Sequence, residues 1–350
     1  MKRNHGIDLL RMFSMLMVVI LHILGQGGVL AAADGLSWRH GLCWLLEAAS
    51  FCAVDCYALI SGYVGTDSKF KVSGIALLWL RVVFWTLIIT TAALVIAPEL
   101  VGLRQYARAV FPVCTKQYWY FTSYFCVFFF MPFLDSAVER LPRRLMTFLL
   151  SALAVIFTLL PLAARADLFG AASGYTPIWL IVLYLFGAYA RKYALLDKLR
   201  GVKALAMYAA TTIVTLAVKL AGEALGISRF DPGFLYSYTS PTVLAAAVCL
   251  LGFFAGLRIG DGAGRVIGLI APTAFSVYLI HTHPLIWMFL LENRFAALAE
   301  LRAPLCVLAV AGCAIAVFAV CTGLDLLREL LFRALKLKKR LSALDARILK

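Results

Sequence analysis

Residues 6–24 read GIDLLRMFSMLMVVILHIL, an apolar run interrupted by three ionisable residues, Asp8, Arg11 and His22. A helix needs about 20 apolar residues to cross the ~30 Å hydrocarbon layer of a bilayer, and this run, extended over 9–30, supplies them. Nine more apolar stretches follow, near 41–62, 75–97, 119–137, 145–164, 177–190, 202–221, 241–258, 266–291 and 303–326. The 177–190 stretch is short enough to need its flanking residues. The whole chain is 63% hydrophobic and 15% charged, with mean hydropathy +0.91, which excludes a water-solvated globule. The fold class that follows is an all-α polytopic membrane bundle of about ten transmembrane helices. No linker, low-complexity tract or internal repeat divides it. One transmembrane domain over 1–327 and a basic tail over 328–350 are expected.

Charge placement sets the expected orientation. An even number of spans puts both termini on one side, and with that side cytoplasmic, 24 of the 33 Lys and Arg residues fall inside and eight in outer loops. The positive-inside rule then places both ends in the cytoplasm of a cell-membrane protein. The net charge of +15 is therefore read as topology, with the tail available to anionic headgroups, and no nucleic-acid partner is expected. The basic N-terminus, apolar run and Ala31-Ala32-Ala33 imitate a cleaved signal, but nine further spans and the ionisable residues in the first argue for retention. Cys52 and Cys56 lie one turn apart without further ligand residues nearby, so neither a metal nor a disulfide frame is expected.

Ionisable groups in hydrocarbon cost several kcal/mol on insertion scales and require a partner, a wet cavity or a function. Arg11 and His22 are eleven residues apart, three helical turns plus about 20°, so they share one face about 16 Å apart. Arg11 is near the cytoplasmic boundary, where snorkelling alone also accounts for an arginine. His22 is about 20 Å deep, too far to snorkel inward. Glu47 on the second span and His281 on the ninth fall in the same layer. A carboxylate beside His22 would hold one imidazole tautomer, as a general base requires, so Glu47 is expected to serve His22. Asp55, about 10 Å nearer the cytoplasm and level with Arg11, is expected to form a structural ion pair with it.

On the cytoplasmic side, Ser61-Gly62-Tyr63 and the following Lys69 and Lys71 suggest a turn whose small residues and free N–H groups approach an anion, with Arg81 extending the basic lining. The spacing is not that of a P-loop, and an ordinary inter-helix turn reads the same way. At the outer face Trp119 and Tyr120 suit either an aromatic belt or a sugar-stacking platform. The ninth span carries Tyr278, His281, His283 and Pro284, the proline freeing a backbone carbonyl at depth, and Tyr278 and His281 are expected on the acceptor side with Trp119 and Tyr120.

Taken together, Gly6-Ile7-Asp8-Leu9-Leu10-Arg11, the Arg11/His22 pair, Ser61-Gly62-Tyr63, the Trp119 region and Tyr278-Leu279-Ile280-His281 with Pro284 resemble the membrane acyltransferase-three family, which includes bacterial cell-surface polysaccharide O-acetyltransferases. The resemblance covers most of the chain. It implies ten helices, no bound cofactor, a cytoplasmic acyl-CoA donor, usually acetyl-CoA, and a hydroxyl acceptor at the outer face. It also implies that His22 is the catalytic base and that Arg11 helps position the donor. No fused soluble domain is expected after the tail. The rival reading is a transporter or flippase of small sugars or amphiphiles, since intramembrane charges and broken helices also mark transport paths. A third is the membrane half of a sensor or resistance protein. Acetyl-CoA turnover by purified protein separates the enzyme from both.

Overall fold

Asn4 starts the first helix, because its side chain accepts hydrogen bonds from the Gly6 and Ile7 amides that the helix leaves unpaired. In the computed structural model, which describes residues 3–33, 35–66, 70–226 and 233–348, this helix, α1 (His5–Leu24), runs through the middle of the molecule. Around and beyond it stand α2 (Trp38–Gly65), α3 (Val72–Ile96), α4 (Trp119–Arg140), α5 (Arg143–Ala164), α6 (Pro177–Lys192), α7 (Gly201–Leu225), α8 (Pro241–Ala255), α9 (Asp261–His281) and α10 (Ala303–Ala334). There is no strand among the described residues.

Eight of these helices are long and apolar enough to span a membrane. The other two of the ten predicted, α6 and α8, have 16 and 15 residues, so each is roughly 22–24 Å long. Each begins with a proline at its first turn, Pro177 and Pro241, where the missing N–H costs nothing. Both are largely buried among their neighbours. The outward faces elsewhere are apolar, with Phe129, Phe130 and Phe133 exposed on α4 and Leu308, Ile315 and Val320 on α10. Such faces suit a hydrocarbon solvent and not water.

Apolar faces gain little by leaving lipid for protein, so close van der Waals approach through small residues supplies the packing energy in such a bundle. Gly62 and Gly187 show this at the α2–α6 crossing. A Cβ on Gly62 would lie 1.9 Å from the Tyr184 carbonyl oxygen, and one on Gly187 would lie 2.1 Å from that of Leu59. The expected cytoplasmic turn at Ser61-Gly62-Tyr63 is therefore a helix contact. It lies inside α2, its N–H groups are committed to helical bonds, and the Ser61 hydroxyl donates to the Tyr57 carbonyl at 3.0 Å.

The expected boundary at 327/328 falls inside α10, which continues to Ala334. Arg328 is 2% exposed, with Nε 2.6 Å and Nη2 3.0 Å from the two oxygens of Asp325, and the Trp85 indole N–H donates to the same carboxylate at 2.9 Å. With its charge neutralised by a residue one turn away, this arginine belongs to the bundle and not to a headgroup-facing tail. The tail proper forms a last helix, α11 (Leu337–Ile348), packed along α3. There Asp345 accepts hydrogen bonds from the Ser73 hydroxyl at 2.5 Å and the Ser73 amide at 2.8 Å, capping α3 from the far end of the sequence. Those donors hold its carboxyl below the usual carboxylate range.

Candidate functional site

Residue spacing along α1 dictates that Arg11 and His22 look the same way, and the packing of α2, α4 and α9 around that face leaves a cavity of about 150 Å³. His22, half-buried on α1, lines it, with Glu47 and Tyr57 from α2, Trp119 and Tyr120 from α4, and Tyr278 from α9. Three polar atoms on these lining residues are buried without a hydrogen-bond partner: Glu47 Oε2, the Tyr57 hydroxyl and the Tyr120 hydroxyl. Buried polar atoms are almost always paired, so three such atoms around one cavity mark a place that a polar ligand completes.

His22 does not hydrogen-bond to Glu47. Its Nδ1 lies 2.8 Å from Nε2 of His281, whose Nδ1 lies 2.6 Å from the Val277 carbonyl oxygen. The Trp287 ring meets His22 edge-on, with centroids 5.1 Å apart. His281, placed on the acceptor side from sequence, is 2% exposed, packs against His22 and is not among the residues that line the cavity. Helical rise assigns Glu47, His22 and His281 to one layer, and the azimuth around each helix decides which pair touch.

Asp55 is likewise not the partner of Arg11. The Arg11 guanidinium donates to Asp8 at 3.1 Å, one turn earlier on the same helix, and Asp8 also binds Arg3 Nε at 2.5 Å. Asp55 is fully buried and accepts from the Trp179 indole N–H at 3.1 Å. A carboxylate three residues away on the same helix reaches the arginine without the ordering cost of a partner on another helix.

The remaining predicted basic residues divide. Tyr57, on the cavity lining, lies within electrostatic reach of both Arg11 and Arg81. Arg81 donates to the Pro272 carbonyl at 3.0 Å, while its Nε is buried without a partner. Lys71 is exposed just before α3, and Tyr63 is buried beneath the Arg191 guanidinium, 5.3 Å from its ring centroid. Lys69 lies outside the described residues.

On the same cavity lining, three aromatic rings close over one another. Trp119 stacks on Tyr238 at 6.0 Å and 20°, and Tyr175 sits 4.6 Å from Trp119 and 5.0 Å from Tyr238. Gly174, at φ +99°, makes this possible. A side chain there would be strained, and its Cβ would lie 2.5 Å from that of Tyr238. Sequence reasoning found Trp119 but missed Tyr175 and Tyr238, which lie in loops with no periodicity to give their direction.

The acyltransferase-three family model, described as an acyltransferase domain, matches residues 4–324, a range that takes in α1 and every helix around the cavity. The chain belongs to the acyltransferase-three family. No curated protein matches the chain, and no solved structure does. In this membrane acyltransferase the matched region contains Arg11 and His22 on α1, Glu47 and Tyr57 on α2, Arg81 on α3, and the aromatic trio.

Proposed function

We propose that the acyltransferase moves an acyl group, acetyl in the usual case, from cytoplasmic acyl-CoA to a hydroxyl of an extracytoplasmic acceptor, a cell-surface saccharide, in the cytoplasmic membrane, with His22 as general base. The observation that carries this reading is the position of His22 on the wall of a cavity that is also lined by Tyr57, within electrostatic reach of Arg11 and Arg81, and by the packed aromatics Trp119, Tyr175 and Tyr238. CoA phosphates are too charged to enter hydrocarbon, whereas the uncharged pantetheine arm is slender enough to do so. The ~16 Å between Arg11 and His22 is of the order of that arm's length.

In this mechanism Arg11 and Arg81 hold the donor by charge-assisted hydrogen bonds near the cytoplasmic end, with Lys71 and Lys69 available to its nucleotide phosphates. The acceptor sugar stacks on Trp119, Tyr175 and Tyr238, whose ring faces suit the C–H faces of a pyranose. Its hydroxyl completes the unpaired Glu47 Oε2 or Tyr120 hydroxyl and gives its proton to His22. As the new C–O bond forms at the thioester carbonyl, the C–S bond breaks, and the proton returns from His22 to the departing CoA thiolate. Acyl-CoA is consumed as co-substrate, and direct attack needs no covalent enzyme intermediate.

The test is CoA release from acetyl-CoA by purified protein, paired with mass spectrometry of envelope glycans for the acetyl increment. His22→Ala is expected to lower turnover by at least about 100-fold, the lower end of what general-base catalysis contributes, with the protein still folded in the membrane. Normal turnover by that variant sinks the assignment.

A further inference from the structure

We infer that His281 is a positioning residue that fixes His22 in the tautomer with its proton on Nδ1, leaving Nε2 as the basic nitrogen; this rests on the reading of His22 as the base. The Val277 carbonyl oxygen can only accept, so the His281 Nδ1 lying 2.6 Å away carries a hydrogen. In a neutral imidazole the other nitrogen then bears the lone pair, so His281 Nε2 is an acceptor. The atom it faces at 2.8 Å, His22 Nδ1, must supply the hydrogen. The alternative tautomer of His22 would set two lone pairs against each other at that distance. Both hydrogen bonds therefore run in one direction, from His22 to His281 to Val277, and the free lone pair of His22 is on Nε2.

The same arrangement suits the charge that appears when Nε2 takes a proton. His22 lies in the last turn of α1 and His281 is the last residue of α9, so both rings sit where helix carbonyls leave partial negative charge. Local sequence sets the second of these ends. Pro284 disfavours helical geometry for the residue before it, and His283 has extended backbone and accepts from the Leu285 amide at 3.3 Å. The polar residues that share this cavity lining, Glu47, Tyr57, Tyr120 and Tyr278 among them, make no hydrogen bond to the His22 ring among the described residues. Thus the imidazole of His281 occupies the place behind the base that a carboxylate takes in a serine-protease triad.

The chain has five histidines, which makes the tautomers directly readable by nitrogen-15 NMR on histidine-labelled protein in nanodiscs, with His22→Ala giving the assignment. Wild type is expected to show a protonated Nδ1 and an unprotonated Nε2 for His22. His281→Leu removes the acceptor and should give mixed tautomers and a fall in kcat for CoA release of about 10- to 100-fold, the scale seen when a ring-orienting partner is lost. KM for acetyl-CoA should stay within about two-fold, because the donor contacts are elsewhere. His281→Gln presents an amide oxygen to His22 Nδ1 and is expected to recover most of the rate.

A wild-type His22 protonated on Nε2 overturns the inference whatever the variants do, so it stays testable even if His281→Leu does not fold. So does a folded His281→Leu enzyme with unchanged tautomer and rate, or a folded His281→Gln enzyme as slow as the leucine variant. These outcomes differ from failure of the underlying reading. An active His22→Ala enzyme removes the base itself, whereas an inactive His22→Ala enzyme beside a fully active His281→Leu enzyme removes only the positioning role.

Discussion

Arg11 shows how far a single residue's surroundings can be argued from sequence. Its face and depth follow from the 3.6-residue period, and that period correctly aligns it with His22. Its partner does not follow, because depth fixes a layer and leaves the direction around the helix open. Asp8 wins over Asp55 through proximity along the same helix, at 3.1 Å. Asp55 instead receives the Trp179 indole hydrogen. An asparagine oxygen can accept the same bond, so Asp55→Asn is expected to change turnover by less than about two-fold and stability by no more than about 1 kcal/mol, the net worth of one such bond. If Asp55 neutralised Arg11, the same substitution would strand a charge in the bundle and cost several times more. A thermal midpoint and a CoA-release rate on the purified variant distinguish the two.

Among the elements, α2 departs most from what its residues suggested. The segment Ser61-Gly62-Tyr63 was legible as special because of its small residues, but small residues serve close approach of either a ligand or another helix. Here the approaching group is the backbone of α6, and Gly62 and Gly187 lie at the same crossing. Gly62→Ala is therefore expected to force the two helices apart and cost about 1–3 kcal/mol or more, the range for overpacking a filled core. It should lower the thermal midpoint in detergent. An unchanged midpoint together with a raised KM for acetyl-CoA would instead support a donor-binding role for this segment. The terminal helix α11 gives a second case at this scale. Its basic residues announced a surface segment, while the Asp345 cap on Ser73, which ties it to α3, joins positions 272 residues apart.

For the molecule as a whole, the orientation is an electrostatic statement and is testable as one. The positive-inside count puts the loop between α3 and α4 on the outer face, and Cys114 in that loop is the one exposed cysteine among the described residues. A membrane-impermeant maleimide applied to intact cells is expected to label the protein, and Cys114→Ser to abolish the label. Labelling confined to inverted vesicles would reverse the topology and place the aromatic trio on the cytoplasmic side. By itself the sequence determined that the chain is an all-helical membrane bundle, that ten apolar stretches supply its long helices, and that Arg11 and His22 share a face at two depths, whereas the end of α9 lies ten residues before its apolar stretch ends and α10 runs eight residues beyond its own. The three determined features are consequences of hydrophobic length and helical period, which are local quantities. Tertiary structure alone decided that His281 and not Glu47 holds His22, that Asp8 and not Asp55 holds Arg11, and that Tyr175 and Tyr238 join Trp119. Each of those depends on the rotation of a helix about its own axis or the path of a loop, and both are set by the packing of distant segments against one another.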